Sequence, residues 1–468
     1  MADAMNAGRV YLIVMLVLSL TLLACASRTE LPDPDTLPYI FEQVRDFDRG
    51  NLLFADIDGD QVDEILAWDN IDDPGLQRAY VHLMRQDGST IEQINFAGIV
   101  KPPHILEDDA YDRWKMLVPH VRNDSLFVSF LDKEGNSAPE LFMAEGVPKQ
   151  EGSGVIPWDP NVEYVNIADV DRDGRKELVT FVRTGFARLP RGVFVHTLPD
   201  LQLVGKEIIA NPLSSGFMDD FDGDGRLELI IGTTAPSNGT VVDPFDDKYA
   251  YVIRFDFYPE PKAVKLDEMS EDWSHVLLFY EDFDGDGSRE FLVFNGGDLP
   301  DSSKKRLQLV EPKTWTVKRT GPGNAPFNSP LVVDLNRDAR PEILVMHRPG
   351  YIWVFNQDLD RIREREIAPQ LTGLNTLPDV DGDGVDELLA FRPEGSLLLG
   401  PHLNVKAVFP GGLLLGIVRR GAGVPPYLRA TYNERTVWLR LVQNRLYLVY
   451  RYGPVGLQVL GVALILLV

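Results

Sequence analysis

Five carboxylates fall within nine residues in "DVDGDGVDELLAF", Asp379 to Phe391, and an apolar run follows at once. The same frame recurs as "DIDGDQVDEIL" from Asp56, "DVDRDGRKELV" from Asp169, "DFDGDGRLELI" from Asp220, "DFDGDGSREFL" from Asp282 and "DLNRDARPEIL" from Asp334. Oxygen side chains stand at positions 1, 3, 5 and 9 of every copy. They are Asp56, Asp58, Asp60 and Glu64; Asp169, Asp171, Asp173 and Glu177; Asp220, Asp222, Asp224 and Glu228; Asp282, Asp284, Asp286 and Glu290; Asp334, Asn336, Asp338 and Glu342; and Asp379, Asp381, Asp383 and Glu387. Alternate residues of a tight loop can all point inward, and a hard cation such as calcium needs about six to eight oxygens at about 2.3–2.6 Å. Position 7 varies freely, as it can where only its carbonyl binds.

An EF-hand would need a bidentate glutamate at position 12, where this chain has Ala67, Thr180, Ile231, Val293, Val345 and Ala390. The segment after each loop is also wrong for a helix. "EILAW", "ELVTFV", "ELIIG", "EFLVF", "EILVM" and "ELLAF" are short runs, mostly β-branched or aromatic, ended by turn residues, so each unit reads as strand, cation loop, strand. Loop starts are separated by 113, 51, 62, 52 and 45 residues. The doubled first interval leaves room for a unit without acids at Trp114 to Leu131, and another fits Pro425 to Leu441. Eight units of this length suit an all-β propeller of seven or eight blades, the first and last units sharing a blade to close the ring.

The loops and their flanking strands resemble FG-GAP, or VCBS, repeats, which build the calcium-binding β-propeller of integrin α chains and of many exported bacterial proteins. The resemblance covers roughly residues 50 to 450 and implies about six Ca²⁺ sites on one face of a disc, with partners docking on the other. The unit at Asp334 departs most from the pattern, with Asn336, Ala339 and Pro341; Gln61 and Arg172 are further departures.

Charge fits occupied loops. The 468-residue chain carries a formal −25, close to the 23 carboxylates at ligand positions, and six divalent ions would bring it to −13. That balance argues against nucleic acid as a partner. Hydrophobic residues make up 44%, enough for a sizeable core. Nothing points to catalysis. The seven histidines are scattered, no nucleophile elbow or P-loop occurs, "EGSGV" at Glu151 to Val155 reads as a turn, and patterned carboxylates are committed to loops rather than to a glycosidase pair. The chain reads as a binding module, not an enzyme.

The two ends are apolar. Residues 1–25 read as an export or lipoprotein signal: "LLAC" resembles a lipobox that would place a lipid on Cys25, the single cysteine, which also excludes a disulfide framework. Residues 26–45 read as linker, 46–450 as propeller, and 453–468 as an apolar membrane segment cut short. A lipid on Cys25 followed by Ala26 suits an outer membrane, where a spanning helix does not belong, so the two anchors are in tension.

The expectation is an extracytoplasmic, membrane-attached ectodomain, periplasmic or at the cell surface. It would bind a protein or carbohydrate ligand through the long loops that begin at Trp68, Thr233 and Asn295, with Trp68, Asp72, Asp73, Phe245, Asp246 and Asp247 as contacts. The alternatives are a surface lipoprotein for adhesion or assembly, and the sensor part of a longer receptor with a kinase-type output.

Overall fold

The runs behind the acid loops are continuous apolar stretches because they are buried on both faces. Glu228–Thr233 is buried at every residue, and Glu387–Arg392 at all but one. In the computed structural model these runs are the second strands of their sheets, each packed between a first strand and a third. The structure describes residues 37–447 except 48–50, 74–75, 107–112, 139, 146–158, 186–187, 272, 298–305, 323–328, 349, 369, 434 and 446. Cys25, the signal segment and the apolar segment 453–468 lie outside the described residues.

Eight antiparallel sheets follow one another along the chain and form an all-β, eight-bladed β-propeller. Blades 1 to 7 occupy residues 52–97, 99–145, 161–208, 213–271, 274–320, 331–366 and 373–410. In blade 7 the strands Gly373–Leu377, Glu387–Arg392, Gly395–Leu399 and Val405–Pro410 pair in sequence order, with Leu377 opposite Glu387 and Arg392 opposite Gly395. The fourth strands form the rim: Thr316–Thr320 and Arg361–Glu366 are exposed at every residue. Blade 4 carries an extra hairpin, Val241–Val242 with Phe245–Asp246, between its second and third strands.

The two units without acids are where the spacing puts them. Trp114–Arg122 and Ser125–Asp132 are central strands of blade 2, whose first strand is split into Ile99–Val100 and His104–Ile105. Tyr427–Tyr432 and Arg435–Gln443 are the middle strands of blade 8. The fourth strand of that blade is Tyr39–Phe47, paired from Tyr39 opposite Gln443 to Phe47 opposite Thr436, so the two ends of the ring share a blade. Residues 39–45, assigned to the linker from sequence, are therefore part of the disc. This strand covers the backbone edge of Arg435–Gln443, which would otherwise be free to pair with another chain.

Apolar packing is organised by seam rather than by blade. Each of the eight buried clusters spans two neighbouring blades: Leu344, Ile352, Leu388 and Leu397 join blades 6 and 7, and Val179, Phe181, Ile231 and Ile253 join blades 3 and 4. Because strands alternate in direction, the loops between first and second strands share one face of the disc with the turns between third and fourth strands. All six acid loops lie on that face; loops from second to third strands lie on the other.

Candidate metal centres

Each acid loop bridges the first and second strands of a blade, in blades 1, 3, 4, 5, 6 and 7. The loop closes on its own side chains. The carboxylate at position 9 accepts the N–H of position 2 in all six copies: Glu64 from Ile57, Glu177 from Val170, Glu228 from Phe221, Glu290 from Phe283, Glu342 from Leu335 and Glu387 from Val380, at 2.8–3.2 Å. Position 3 accepts from the N–H of position 5, and position 5 from that of position 7, as with Asp222 to Asp224 and Asp224 to Arg226. In blade 7, Asp379 accepts from Gly382 and Gly384 at 2.7 and 2.6 Å, both glycines holding φ near +79°. The loops are thus chains of Asx turns, and the frame of positions 1, 3, 5 and 9 is the one that bends backbone and acids around a common centre.

Oxygens converge there. In blade 4, Asp220, Asp222, Asp224 and Glu228 each bring one carboxylate oxygen within 4.8 Å of the others, and in blade 7 so do Asp379, Asp381, Asp383 and Glu387. In blades 1, 3 and 5 the set is Asp56, Asp58 and Glu64; Asp169, Asp171 and Glu177; and Asp282, Asp284 and Glu290. Asp60, Asp173 and Asp286 stand outside those three sets, each accepting the N–H two residues on. In blade 6, Asn336 donates its amide to Glu342 at 2.7 Å, so a neutral donor stands where the other loops have an acid, and Asp334 and Asp338 cap backbone N–H groups.

The glutamates carry the electrostatic burden. All six are buried at the base of their loops. Burial pushes Glu177 and Glu228 up to about 7; the N–H of Val170 or Phe221 opposes that, and the neighbouring aspartates add to it. Glu64, Glu290 and Glu342 are raised for the same first reason. Buried Oδ1 atoms of Asp169 and Asp220 accept no hydrogen bond. An all-oxygen set with orphaned buried oxygens, beside a carboxylate whose charge is disfavoured by desolvation, fits a hard divalent cation. In blades 1, 3 and 4, the residues that would hold it are the converging sets named above.

Basic side chains missed by the sequence reading also enter this face. Lys406 Nζ lies 2.5, 2.9 and 2.8 Å from Asp381, Asp383 and Glu387. Lys318 lies 2.7 Å from Glu290 and 3.9 Å from Asp284. Arg254 stands 3.9 Å from Asp222 at the edge of the blade 4 set and is engaged by Asp256. Between blades, Arg337 of the blade 6 loop donates to the Asp383 carbonyl of the blade 7 loop at 2.7 Å, over Gly384. Arg172 of the blade 3 loop lies where a side chain on Gly225 of the blade 4 loop would have to be. The signal was present as "VK" in Val317–Lys318 and Val405–Lys406, and as arginine at position 4 of two loops.

On the opposite face, three of the six contact residues read from sequence are hidden. Trp68 and Phe245 are core, and Asp247 is fully buried 3.7 Å from the equally buried Arg191. They are apolar or charged for anchoring, not for display. Asp246 is half-buried, and Asp72 and Asp73 end the strand Glu64–Asp73. Exposed apolar groups on this side include Val241, 64% accessible, and Trp273, 66% accessible and hydrogen-bonded through its backbone N–H to the Ala235 carbonyl.

No protein-family model matches this chain, and no curated protein matches it. Solved structures similar in fold include the Dos1 propeller, at 9% identity over 86% of this chain and 95% of that one, with a TM-score of 0.49. Dihydro-heme d1 dehydrogenase NirN is similar at 14% identity over 86% and 76%, with a TM-score of 0.45. The V. cholerae biofilm matrix protein Bap1 is similar at 12% identity over 88% and 89%, with a TM-score of 0.32.

Proposed function

We propose that this chain is a calcium-stiffened binding module, exported and held at a membrane, that engages a protein or carbohydrate ligand and performs no chemistry of its own. The observation that carries the reading is the convergence of acid oxygens around a buried glutamate on one face of the disc. Acid loops that only kept strand ends soluble would have no reason to aim three or four carboxylate oxygens at one centre, as five of the six copies do. The cation supplies charge balance and cross-links the first two strands of a blade, the part that disulfides take in other exported proteins.

With the acid face committed to structure, the ligand belongs on the opposite face. There the blade 4 excursion, residues 234–248, is fixed from beneath by Phe245 and Asp247 and presents Val241, while the exposed Trp273 is held by its backbone to Ala235 at the start of the excursion. A pre-ordered loop with exposed apolar groups at its tip is the arrangement that binds without a large ordering cost.

The test is thermal melting in excess chelator and in millimolar calcium. At an affinity of about 0.1 mM, about 1 mM calcium stabilises by on the order of 1.4 kcal/mol per site, so the midpoints should differ by several degrees. Glu228→Gln should remove the blade 4 contribution and lower the calcium bound by one. Identical melts with and without calcium would sink the reading.

A further inference from the structure

The acid loop of blade 7 keeps the full D-x-D-G-D-G-x-x-E frame, as those of blades 4 and 5 do, yet its surroundings differ from those of blades 1, 3 and 4. We infer that its resident cation is the ammonium of Lys406, so that metal occupancy of this loop is decided by one residue on the fourth strand of its blade. This rests on the reading of the other loops as calcium sites and departs from it at this one.

Lys406 is the extra residue of a β-bulge: Leu398 pairs with Ala407 and Leu399 with Val405, leaving Lys406 without a partner across the ladder. The bulge turns its side chain along the acid face. The ammonium has three hydrogens to donate, and Asp381, Asp383 and Glu387 accept all three within 2.9 Å. Only 9% of the lysine side chain is accessible, with 1% for Asp381 and none for Glu387. Asp381 also accepts from the N–H of Asp383 and from the hydroxyl of Tyr39 in the ring-closing strand. A metal drawing on Asp381, Asp383 and Glu387 would have to stand where the ammonium stands, and the charges of both could not share those oxygens.

The passage for the lysine is built in. A side chain at residue 400 would put its Cβ 2.7 Å from Lys406 Cε, and that residue is glycine. The same bulge occurs in other blades with other residues. It falls at Ile91 in blade 1, Val204 in blade 3 and Ile362 in blade 6, none of which brings a charge. In blade 5 it falls at Lys318, where Glu311 occupies the position corresponding to Gly400 and lies 3.6 Å from the ammonium. Lys318 contacts Glu290 closely but Asp284 only at 3.9 Å, and it stays 37% accessible, so it is a cation that metal can displace.

The experiment is equilibrium dialysis of calcium against the full chain, its Lys406→Met variant, and an Asp381→Asn variant in the otherwise native chain. The expected result is one more calcium per chain in Lys406→Met and no loss in Asp381→Asn. A calcium lost in Asp381→Asn, or none gained in Lys406→Met while the native chain binds calcium elsewhere, overturns this inference alone. Failure of every chain to take up calcium overturns the cation reading of the loops and this inference with it. Should Lys406→Met not fold, Asp381→Asn still decides, because it keeps the lysine and two of its acceptors.

Discussion

At the scale of single residues, the irregular copies of the loop are as informative as the regular ones. Arg172, Arg337, Gln61 and Ala339 depart from glycine at positions 4 and 6, and each holds a left-handed backbone, φ +62° to +69°. The two arginines offset that strain by reaching the loop of the next blade, a role invisible from spacing because it depends on a neighbour about 50 residues away. Ala339 has only a methyl group, which cannot donate a hydrogen bond to a neighbouring loop. Ala339→Gly should therefore stabilise the protein by about 0.5–1 kcal/mol, the relief of the left-handed penalty less the added chain freedom, read as a raised denaturation midpoint in chelator. An unchanged or lowered midpoint would show that the loop is not strained there. The buried glutamates set a pH dependence. With Glu177 and Glu228 raised to about 7, the metal-free fold has a contribution present below the unfolded value of 4.5 and lost as pH rises through about 7. Calcium replaces the departing proton, so the gain in melting temperature from calcium should grow as pH rises toward and past 7. The difference between calcium and chelator is the quantity to measure, because His196, held down to about 4 by burial, weakens both forms on acidification. A gain independent of pH would separate the glutamates from the metal.

At the scale of strands and loops, legibility followed burial. Second strands such as Glu228–Thr233 were plain in the sequence because both faces are covered and every residue is apolar or small apart from the ligand at the start. Tyr39–Phe47 was missed because it is a rim strand, half covered and interrupted by Glu42, Arg45 and Asp46, and only its partner Arg435–Gln443, nearly 400 residues away, makes it a strand. The blade 4 excursion misled in the opposite direction: its polarity suggested display, while its acid is an anchor. Burial pulls Arg191 down to about 10, and Asp247 opposes that pull. Asp247→Ala would leave the buried guanidinium without its carboxylate and should cost about 3–5 kcal/mol in denaturant melts, with the calcium count unchanged. A loss under about 1 kcal/mol would mean that water reaches the pair and that the loop is held by Phe245 alone.

At the scale of the molecule, a closed ring is as strong as its weakest seam, since every blade contacts only two others. Seven seams are filled chiefly by aliphatic and phenyl groups from both blades. The eighth, between blades 8 and 1, has the smallest buried cluster, Ile65, Ala67, Met84, Val418 and Trp438, and is completed by Phe47, Phe54 and Tyr427. Trp438 is the hub: its ring lies 5.0 Å from Phe47, 5.7 Å from Phe54 and 5.5 Å from Tyr427. Above it, Asp63 of the first acid loop accepts from the Arg419 backbone and guanidinium of blade 8 at 2.7 and 2.8 Å, so the seam is also tied on the cation face. Two of these aromatic partners come from the first strands of the chain, and the seam forms only when both ends have met, the longest loop closure in the fold. Trp438→Ala removes the hub from both blades and should cost about 3–5 kcal/mol. The loss should be local in its first effect: amide exchange should speed up in Tyr39–Phe47, Arg435–Gln443 and Leu52–Ala55 before it does in blades 3 to 5. Uniform acceleration around the ring would instead mean that the blades open together and that closure adds no weak point.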